Sequence, residues 1–319
     1  MHPLTHSSQV RVSSRFPATG VHSVSAQIPL SPLELVNLSQ LMRITSGQAA
    51  TRIALIDGPV SKGHPELSNN ILEVSGKIGG TCASASSAAC VHGTFVAGIL
   101  SAKRGTGAPA ICPGCTLIIR PIFAETTSPN SKMPSATPEE LAAAISDCVL
   151  AGAHVINLSA ALTNASAKGE RRLKEALDHS AKRGVIVVAA AGNQAAVGSS
   201  AITNHPWVIP VVASDLRGRP INYSNLGNSI GRRGLSAPGE GITSLGMSDQ
   251  PLMFGGTSAA APFVTGAIAL LLSEFSHVPA AAVKLTVTTA SGARRTTVVP
   301  PLLNAWAAYQ TLRTKRFYK

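Results

Sequence analysis

Short apolar segments that alternate with helical patterns constrain the fold of this chain more than any other feature. Five of them, each bounded by Gly, Pro or polar residues, have the composition of strands buried on both faces of a parallel sheet. They are residues 52–56, 116–119, 154–158, 185–190 and 207–213. The alternation of strand and helix predicts an α/β fold, a three-layer sandwich with a mostly parallel central sheet flanked by helices.

Capping residues mark several helix boundaries. Thr137, Pro138 and Glu140 have the spacing of a capping box with proline at the first helical position. A second helix is predicted over residues 170–183, because its apolar residues share one face and a glycine follows it. A Ser-Pro pair followed by periodically spaced leucines predicts an N-terminal helix over about 32–43.

The domain organisation follows from composition. Residues 1–28 are rich in Ser, Pro and His and lack periodicity, so they are predicted to form a flexible N-terminal tail. Residues 29–319 are predicted to form one domain with its core over about 50–310. Hydrophobic residues make up 45% of the chain and charged residues 13%, a balance that excludes a disordered chain.

Neither a membrane helix nor an export signal is expected. The longest nearly apolar window, from Ala259 to Leu272, contains Pro262 and Gly266 and is shorter than the ~20 apolar residues that a membrane span needs. The N-terminus lacks the apolar core of a secretory signal. These features predict a cytoplasmic protein that has no membrane partner.

The net charge of +12 is spread along the chain. Aromatic residues make up only 4% and no nucleic-acid-binding module is recognisable, so no nucleic-acid partner is expected. Two readings remain open: attraction of an acidic peptide, or a surface that is merely cationic and soluble.

The five cysteines cannot all pair. Cys148 falls on the inward face of the predicted helix that starts near residue 138, which indicates a buried free thiol. Cys82, Cys90, Cys112 and Cys115 can form two local disulfides, crossed disulfides or a four-thiolate zinc site, or can stay free. A zinc site is disfavoured because only Cys112 and Cys115 have the short spacing that is usual between zinc ligands. We therefore expect no metal and no cofactor.

Four polar residues lie at junctions between elements, where α/β proteins place their working groups. Asp57 ends an apolar strand, His92 opens a helical segment, Asn193 follows another strand, and Ser258 opens a helix of small residues. Each alone is more often a cap, a turn residue or a hydrogen-bonded structural group. Together they supply what acyl transfer needs: a nucleophile, its base, a carboxylate that orients the base, and an oxyanion donor.

The segments around these residues resemble the subtilisin-like serine proteases, the peptidase S8 family, over about residues 45–310. The matching segments are ALIDGPV at 54–60, HGTFVAG at 92–98, GAHVINLS at 152–159, VVAAAGN at 187–193, LSAPG at 235–239 and GGTSAAAPFVTG at 255–266. The order Asp, His, Ser along the chain is also that of the family. The resemblance implies a subtilisin-like fold, an endopeptidase activity through an acyl-enzyme, and a peptide or protein as substrate.

The resemblance also implies roles for individual residues. Ser258 is the expected nucleophile, His92 the general base and then acid, Asp57 its orienting carboxylate, and Asn193 an oxyanion-hole donor. The expected substrate-binding residues match two family segments. They are Ser159, Ala160 and Ala161 in the first, and Ala190, Ala191 and Gly192 in the second.

Several positions depart from the family pattern. Gly58 stands where most members have Ser or Thr, and Gly255 where many have Asn. The usual calcium-binding loop is not recognisable between residues 64 and 80, and about 50 residues precede the first strand, which is too few for a standard prodomain.

A narrower resemblance is to the PatA-type proteases of cyanobactin maturation. It depends on DGPV at 57–60, Pro-Ile-Phe at 121–123 and APGE at 237–240. It implies removal of a leader from a ribosomally made precursor peptide, with other maturation enzymes of that precursor as partners. A broad-specificity intracellular protease and a non-catalytic peptide-binding subtilase fold are the alternatives.

Overall fold

The computed structural model describes residues 30–315 apart from 75, 77–79, 81, 126–135, 160–166, 249 and 293–294. The strands of the described part are β1 Arg52–Asp57, β2 Ile71–Glu73, β3 Thr116–Pro121, β4 Val155–Leu158, β5 Ile186–Ala190, β6 Val208–Ser214, β7 Leu235–Pro238, β8 Ile242–Ser244 and β9 Leu252–Phe254. The helices are α1 Pro32–Leu35, α2 Leu38–Ile44, α3 Ala88–Ser101, α4 Pro138–Leu150, α5 Ala167–Lys182, α6 Asn228–Arg233, α7 Thr257–Glu274, α8 Ala280–Thr289 and α9 Ala305–Thr314.

The first seven strands form one parallel sheet in the order β2-β3-β1-β4-β5-β6-β7. The five strands that the sequence predicts are β1, β3, β4, β5 and β6, and they occupy the five central positions. The strands β2 and β7, which lie at the two edges, are not among those that the sequence predicts. The edge strands are short, with three and four residues, so they carry little pattern.

Alternate residues of β1 show why the fold has three layers. Ile53 and Leu55 belong to the core cluster that includes α3 and α7, whereas Ala54 and Ile56 belong to the cluster that includes α4 and α5. Successive side chains of a strand point to opposite faces, so one run of apolar residues fills two cores. The predicted three-layer α/β sandwich is confirmed.

The capping box of α4 forms as predicted. The Thr137 hydroxyl accepts a hydrogen bond from the Glu140 amide, and the Glu140 carboxylate accepts one from the Thr137 amide. Where one helix over about 32–43 is predicted, the chain forms α1 and α2. They are separated at Asn37, whose φ of 55° is incompatible with a continuous right-handed helix.

By length and composition alone, α7 is apolar enough to cross a membrane, and it is the one such helix in the described part of the chain. Most of it, 83%, is buried inside the protein, where it packs against β4, β5, β6 and β7. Its apolar composition is therefore that of a helix at the centre of a core.

Two of the five cysteines form a disulfide, and the other three are free thiols. Cys82 and Cys90 form a disulfide, whereas Cys112, Cys115 and Cys148 are free and buried. A four-thiolate zinc site is excluded because the disulfide occupies two of the four candidate ligands. The buried free thiol predicted at Cys148 is confirmed.

Candidate active site

The centre of the site is the contact between the end of β1 and the first turns of α3. A Cβ atom at Gly58 would lie 1.9 Å from the carbonyl oxygen of Ala89, and one at Gly93 would lie 2.4 Å from that of Pro59. The backbones can approach this closely because both positions are glycine. This contact brings Asp57 and His92, which are 35 residues apart in the chain, side by side.

Asp57 is fully buried and holds the imidazole of His92. Its Oδ1 accepts a hydrogen bond of 2.6 Å from His92 Nδ1 and another of 2.6 Å from the Gly58 amide. The other oxygen, Oδ2, is buried without a hydrogen-bond partner among the described residues. With the proton on Nδ1, the lone pair of His92 lies on Nε2.

His92 is the fifth residue of α3, so the prediction that it opens the helix is wrong. The helix begins one turn earlier because the Ser87 hydroxyl caps it by accepting from the Cys90 amide. Burial lowers the pKa of His92, but the charge of Asp57 and its hydrogen bond outweigh burial, and the net shift is upward.

His92 and Ser258 line the same cavity, whose volume is about 510 Å³. Ser258 is the second residue of α7, so its backbone amide belongs to the positive end of that helix. Asn193 and Ser159 line the cavity as well. Tertiary structure therefore places four of the predicted site residues around one cavity. Asp57 does not line the cavity and is connected to it by its hydrogen bond to His92.

Asn193 is oriented by Thr257, the residue before Ser258. Its Oδ1 accepts hydrogen bonds from the Thr257 amide at 2.9 Å and from the Thr257 hydroxyl at 3.0 Å. These bonds assign the oxygen, so Nδ2 is the atom free to donate. Gly256 has a φ of 106°, and a Cβ atom there would lie 3.0 Å from Asn193 Nδ2. Because the residue is glycine, no side chain crowds this donor.

The second predicted substrate segment lies beside this pair. Ala190 ends β5, the Ala191 amide donates to Val211, and the Gly192 amide donates to the Thr257 hydroxyl at 3.2 Å. These three residues flank the cavity wall and do not line it. Asn225, which the sequence analysis does not single out, holds the segment by donating to the Ala191 carbonyl and accepting from the Gln194 amide.

The first predicted substrate segment is described only at Ser159, because Ala160 and Ala161 lie outside the described residues. Ser159 is buried, and its hydroxyl accepts a hydrogen bond of 3.0 Å from Asn157 Nδ2. Asn157 is itself fixed by the Thr265 hydroxyl of α7, at 2.8 Å. The end of β4 is therefore anchored to the helix that carries Ser258.

Aromatic residues form much of the cavity wall, and they are not among the site residues predicted from the sequence. Phe95, Phe123 and Phe254 all line it. The spacing carried a signal for Phe95, which lies three residues after His92 on the same helix, α3. Phe254 ends β9, outside α7, so its spacing from Ser258 carried none.

The described residues contain no group of three or more His, Cys, Asp or Glu side chains placed to hold a metal ion. The arrangement consists of a hydroxyl, an imidazole, a carboxylate and an amide donor. These are the groups used in acyl transfer by serine hydrolases.

Comparison with known proteins identifies the class. The model of the subtilase family, Peptidase S8, matches residues 48–310, so the chain belongs to this family and is a serine endopeptidase. Subtilisin DY of Bacillus licheniformis is 30% identical over 243 residues, which are 74% of this chain and 81% of the relative. Thermitase of Thermoactinomyces vulgaris is 29% identical over 241 residues, 75% of this chain and 80% of the relative.

Solved structures of peptide-maturation proteases are also similar. The self-cleaved protease domain of PatA is 32% identical with a TM-score of 0.69, over 84% of this chain and 98% of that one. The prenylagaramide maturation protease PagA is 26% identical with a TM-score of 0.73, over 86% and 98%. The predicted resemblance to subtilases, and among them to the PatA type, is confirmed.

Proposed function

We propose that this chain removes the leader from a ribosomally made precursor peptide through an Asp57-His92-Ser258 triad and an acyl-enzyme. The observation that carries the catalytic part is the bond between Asp57 and His92 at a cavity that Ser258 and Asn193 share. The four groups then have distinct tasks in the cleavage of a single peptide bond, with His92 acting first as base and then as acid.

In acylation, His92 Nε2 takes the proton of the Ser258 hydroxyl as Oγ attacks the scissile carbonyl. The Asp57 carboxylate stabilises the imidazolium that forms and keeps Nδ1 protonated. His92 then gives its proton to the leaving amine, and the peptide bond breaks. The leaving amine must therefore lie on the His92 side of the reacting carbon.

The tetrahedral intermediate carries its negative charge on the former carbonyl oxygen. Asn193 Nδ2 and the backbone amide of Ser258 would donate to this oxyanion. Both donors are fixed before substrate arrives, since Thr257 orients the first and α7 the second. In deacylation His92 takes a proton from water as the water oxygen attacks the acyl carbon, and returns that proton to Ser258 Oγ as the ester bond breaks.

The precursor-processing part is supported by the solved chains of two maturation proteases, the protease domain of PatA and PagA, which are 32% and 26% identical over 98% of each chain. The broad-specificity alternative is supported by a similar degree of identity, 30%, to subtilisin DY. The two candidates share all chemistry and differ only in substrate. A non-catalytic peptide-binding role receives no support from a site in which the four groups lie together.

The test is mass spectrometry of digests made with wild-type and Ser258→Ala protein. We expect the wild type to cut a precursor peptide at one boundary and to leave unfolded casein largely intact, and Ser258→Ala to cut neither. Extensive casein cleavage would support the broad-specificity alternative. If a serine-directed fluorophosphonate forms no Ser258-dependent adduct in folded protein, the catalytic proposal fails.

A further inference from the structure

We propose that a cluster of basic side chains, remote from Ser258, binds an acidic segment in the leader of the precursor peptide. This basic cluster consists of Arg232, Arg233, Lys284 and Arg295. The inference rests on the proposed function and names the class of substrate within it: a precursor whose leader carries several Asp or Glu residues at a distance from the scissile bond.

The basic cluster forms where three segments of the chain meet. The last turn of α6 contains Arg232 and Arg233, and α8 contains Lys284. Arg295, which follows α8, joins the two helices. Its Nη1 donates to the carbonyl of Gly234, just after α6, at 2.8 Å, and its Nη2 donates to a carbonyl in the last turn of α8. Tertiary structure therefore gathers these charges on one surface.

No carboxylate pairs with the basic cluster in the part of the chain that the structure describes. Arg233 donates to the carbonyl of Asn204 at 2.9 Å, and Lys284 donates to that of Pro206 at 3.2 Å. A carbonyl satisfies a donor without cancelling its charge. After Glu274 the chain has seven Lys and Arg residues and no Asp or Glu. The basic cluster therefore keeps its positive charge.

The members of the basic cluster lie close enough to repel one another. Burial lowers the pKa of Lys284, and the charges of Arg233 and Arg295 lower it further. Burial also lowers the pKa of Arg233, and the charge of Arg232 lowers it further. Folding brings these like charges together at a cost in free energy. An anionic ligand would reduce that repulsion, so the arrangement favours the binding of negative charge.

The surroundings of the basic cluster favour an acidic peptide over a nucleic acid. The aromatic ring beside it belongs to Trp207, and Lys284 Nζ covers that ring at 5.3 Å from its centroid. The indole N–H donates to the Val185 carbonyl at 2.7 Å. The ring is therefore not free to stack on a base, which is how proteins hold single-stranded nucleic acid. Arg232 is exposed, so a carboxylate can reach it from solvent.

The basic cluster and the catalytic groups lie at opposite edges of the sheet. Lys284 contacts Pro206, shortly before β6 begins, and Arg295 contacts Gly234, just before β7. Asp57, by contrast, is the last residue of β1. The seven residues of β6 separate the two edges by about 20 Å. An extended peptide covers at most ~3.5 Å per residue, so at least about six residues must lie between the acidic segment and the scissile bond.

The test uses peptides that share one cleavage site and carry a run of either Glu or Ser before it. The run lies about 12 or about three residues from the scissile bond, within or short of the reach that the structure requires. For the wild type we expect kcat/KM with the distant Glu run to exceed that with the distant Ser run by about fivefold or more, mainly through KM. The near Glu run should give no such advantage. Added NaCl should weaken the preference, because salt screens the attraction.

Three variants show whether the basic cluster causes this preference. Arg232→Glu reverses an exposed charge, and the preference for the distant Glu run should fall about three- to tenfold. Lys284→Gln removes a second charge and should lower the preference less, which keeps the test valid if one variant does not fold. Arg172→Glu is the matched control. It reverses an exposed charge on α5, which packs on the other face of the sheet, and should keep the wild-type preference.

The outcomes separate this inference from the catalytic proposal. Equal kcat/KM for the distant Glu and Ser peptides in a wild type that cuts both would overturn the basic cluster alone. An equal loss of preference in Arg172→Glu and Arg232→Glu would also overturn it, since net charge would then account for the effect. Inhibition by a DNA oligonucleotide but not by a free Glu-rich peptide would assign the surface to nucleic acid and overturn it too. Absence of cleavage together with absence of a Ser258-dependent fluorophosphonate adduct would overturn the proposed function.

Discussion

Thr257 fixes the orientation of the Asn193 side chain through two hydrogen bonds to one oxygen. The Thr257 amide and hydroxyl both donate to Asn193 Oδ1, and the same hydroxyl accepts from the Gly192 amide. Thr257 is buried and does not line the cavity. It is therefore a positioning residue, which acts on the reaction through the amide that it orients.

Thr257→Val keeps the shape of the side chain but removes the hydroxyl. We expect kcat to fall about two- to tenfold with little change in KM, because one neutral hydrogen bond that aligns an oxyanion donor is lost. Thr257→Ser should restore most of kcat. Steady-state kinetics of both variants provide the measurement, and an unchanged kcat in Thr257→Val would remove the positioning role.

Asn193→Ala removes the proposed oxyanion donor. We expect kcat to fall about 10²–10³-fold, the loss known for removal of the corresponding type of donor in subtilisin, another member of this family. KM should change little, since the donor matters most when charge develops on the oxygen. Circular dichroism and a melting curve serve as the folding control, and wild-type turnover in the folded variant would exclude this role.

The pH dependence follows from the raised pKa of His92. Burial lowers that pKa, but the charge of Asp57 and its hydrogen bond together raise it by more, so the net shift is upward. Only the neutral imidazole accepts the Ser258 proton. Activity should therefore be lost as pH falls, and the midpoint of kcat/KM should lie above the ordinary histidine value of about 6.5.

Asp57→Asn is the matched variant for this profile. It removes both causes that raise the pKa of His92 and leaves burial, so the midpoint should move to lower pH. The amide also favours the wrong imidazole tautomer, and kcat should fall by about 10⁴, as in other triads. A midpoint that stays where the wild type has it would contradict the electrostatic role of Asp57.

The Cys82–Cys90 disulfide closes a short loop that includes Ser86 and Ala88 of the cavity wall. By loop-closure entropy, its loss should lower the free energy of unfolding by about 2–3 kcal/mol. A reductant should lower the melting temperature of the wild type but not of Cys82→Ser. Thiol titration after denaturation without reductant should detect three of the five cysteines. Detection of all five would show that the bond is absent and would contradict this prediction.

The thiol of Cys148 should be unreactive in the folded protein. Burial raises the pKa of its thiol to about 12, so almost no thiolate exists at neutral pH. We expect iodoacetamide to leave Cys148 unmodified in the folded protein, and Cys148→Ala to keep turnover within about twofold of wild type. Loss of turnover in a folded variant would show that the thiol has a role beyond packing.

Local patterns predicted the centre of the fold and much less of its periphery. The five central strands of the sheet are buried on both faces, and each produces a continuous apolar run that is visible in the sequence. The edge strands β2 and β7 are too short to show such a pattern. The break between α1 and α2 at Asn37 was also missed, because the leucine periodicity runs through it.

The residues of the candidate site also differ in whether the sequence alone could predict them. Asp57, Asn193 and Ser258 could be singled out because each lies at or next to the end of a strand or the start of a helix, in a glycine-bearing segment. His92 could be singled out by its glycine-bearing segment, although it lies inside α3. The residues that form hydrogen bonds with them could not be identified from the sequence. Thr257 gains its role only because α7 brings it against a residue 64 positions earlier in the chain.

The sequence by itself determined the class of fold, the family and the identity of the groups that would do acyl transfer, because backbone conformation and residue chemistry are local properties. Tertiary structure decided which oxygen of Asp57 holds His92, which cysteines pair, and that Phe95 meets Phe254 beside the general base. Each of these depends on the distance between elements remote in sequence. That distance is set by how the helices and the β8–β9 hairpin pack, and no periodicity encodes it.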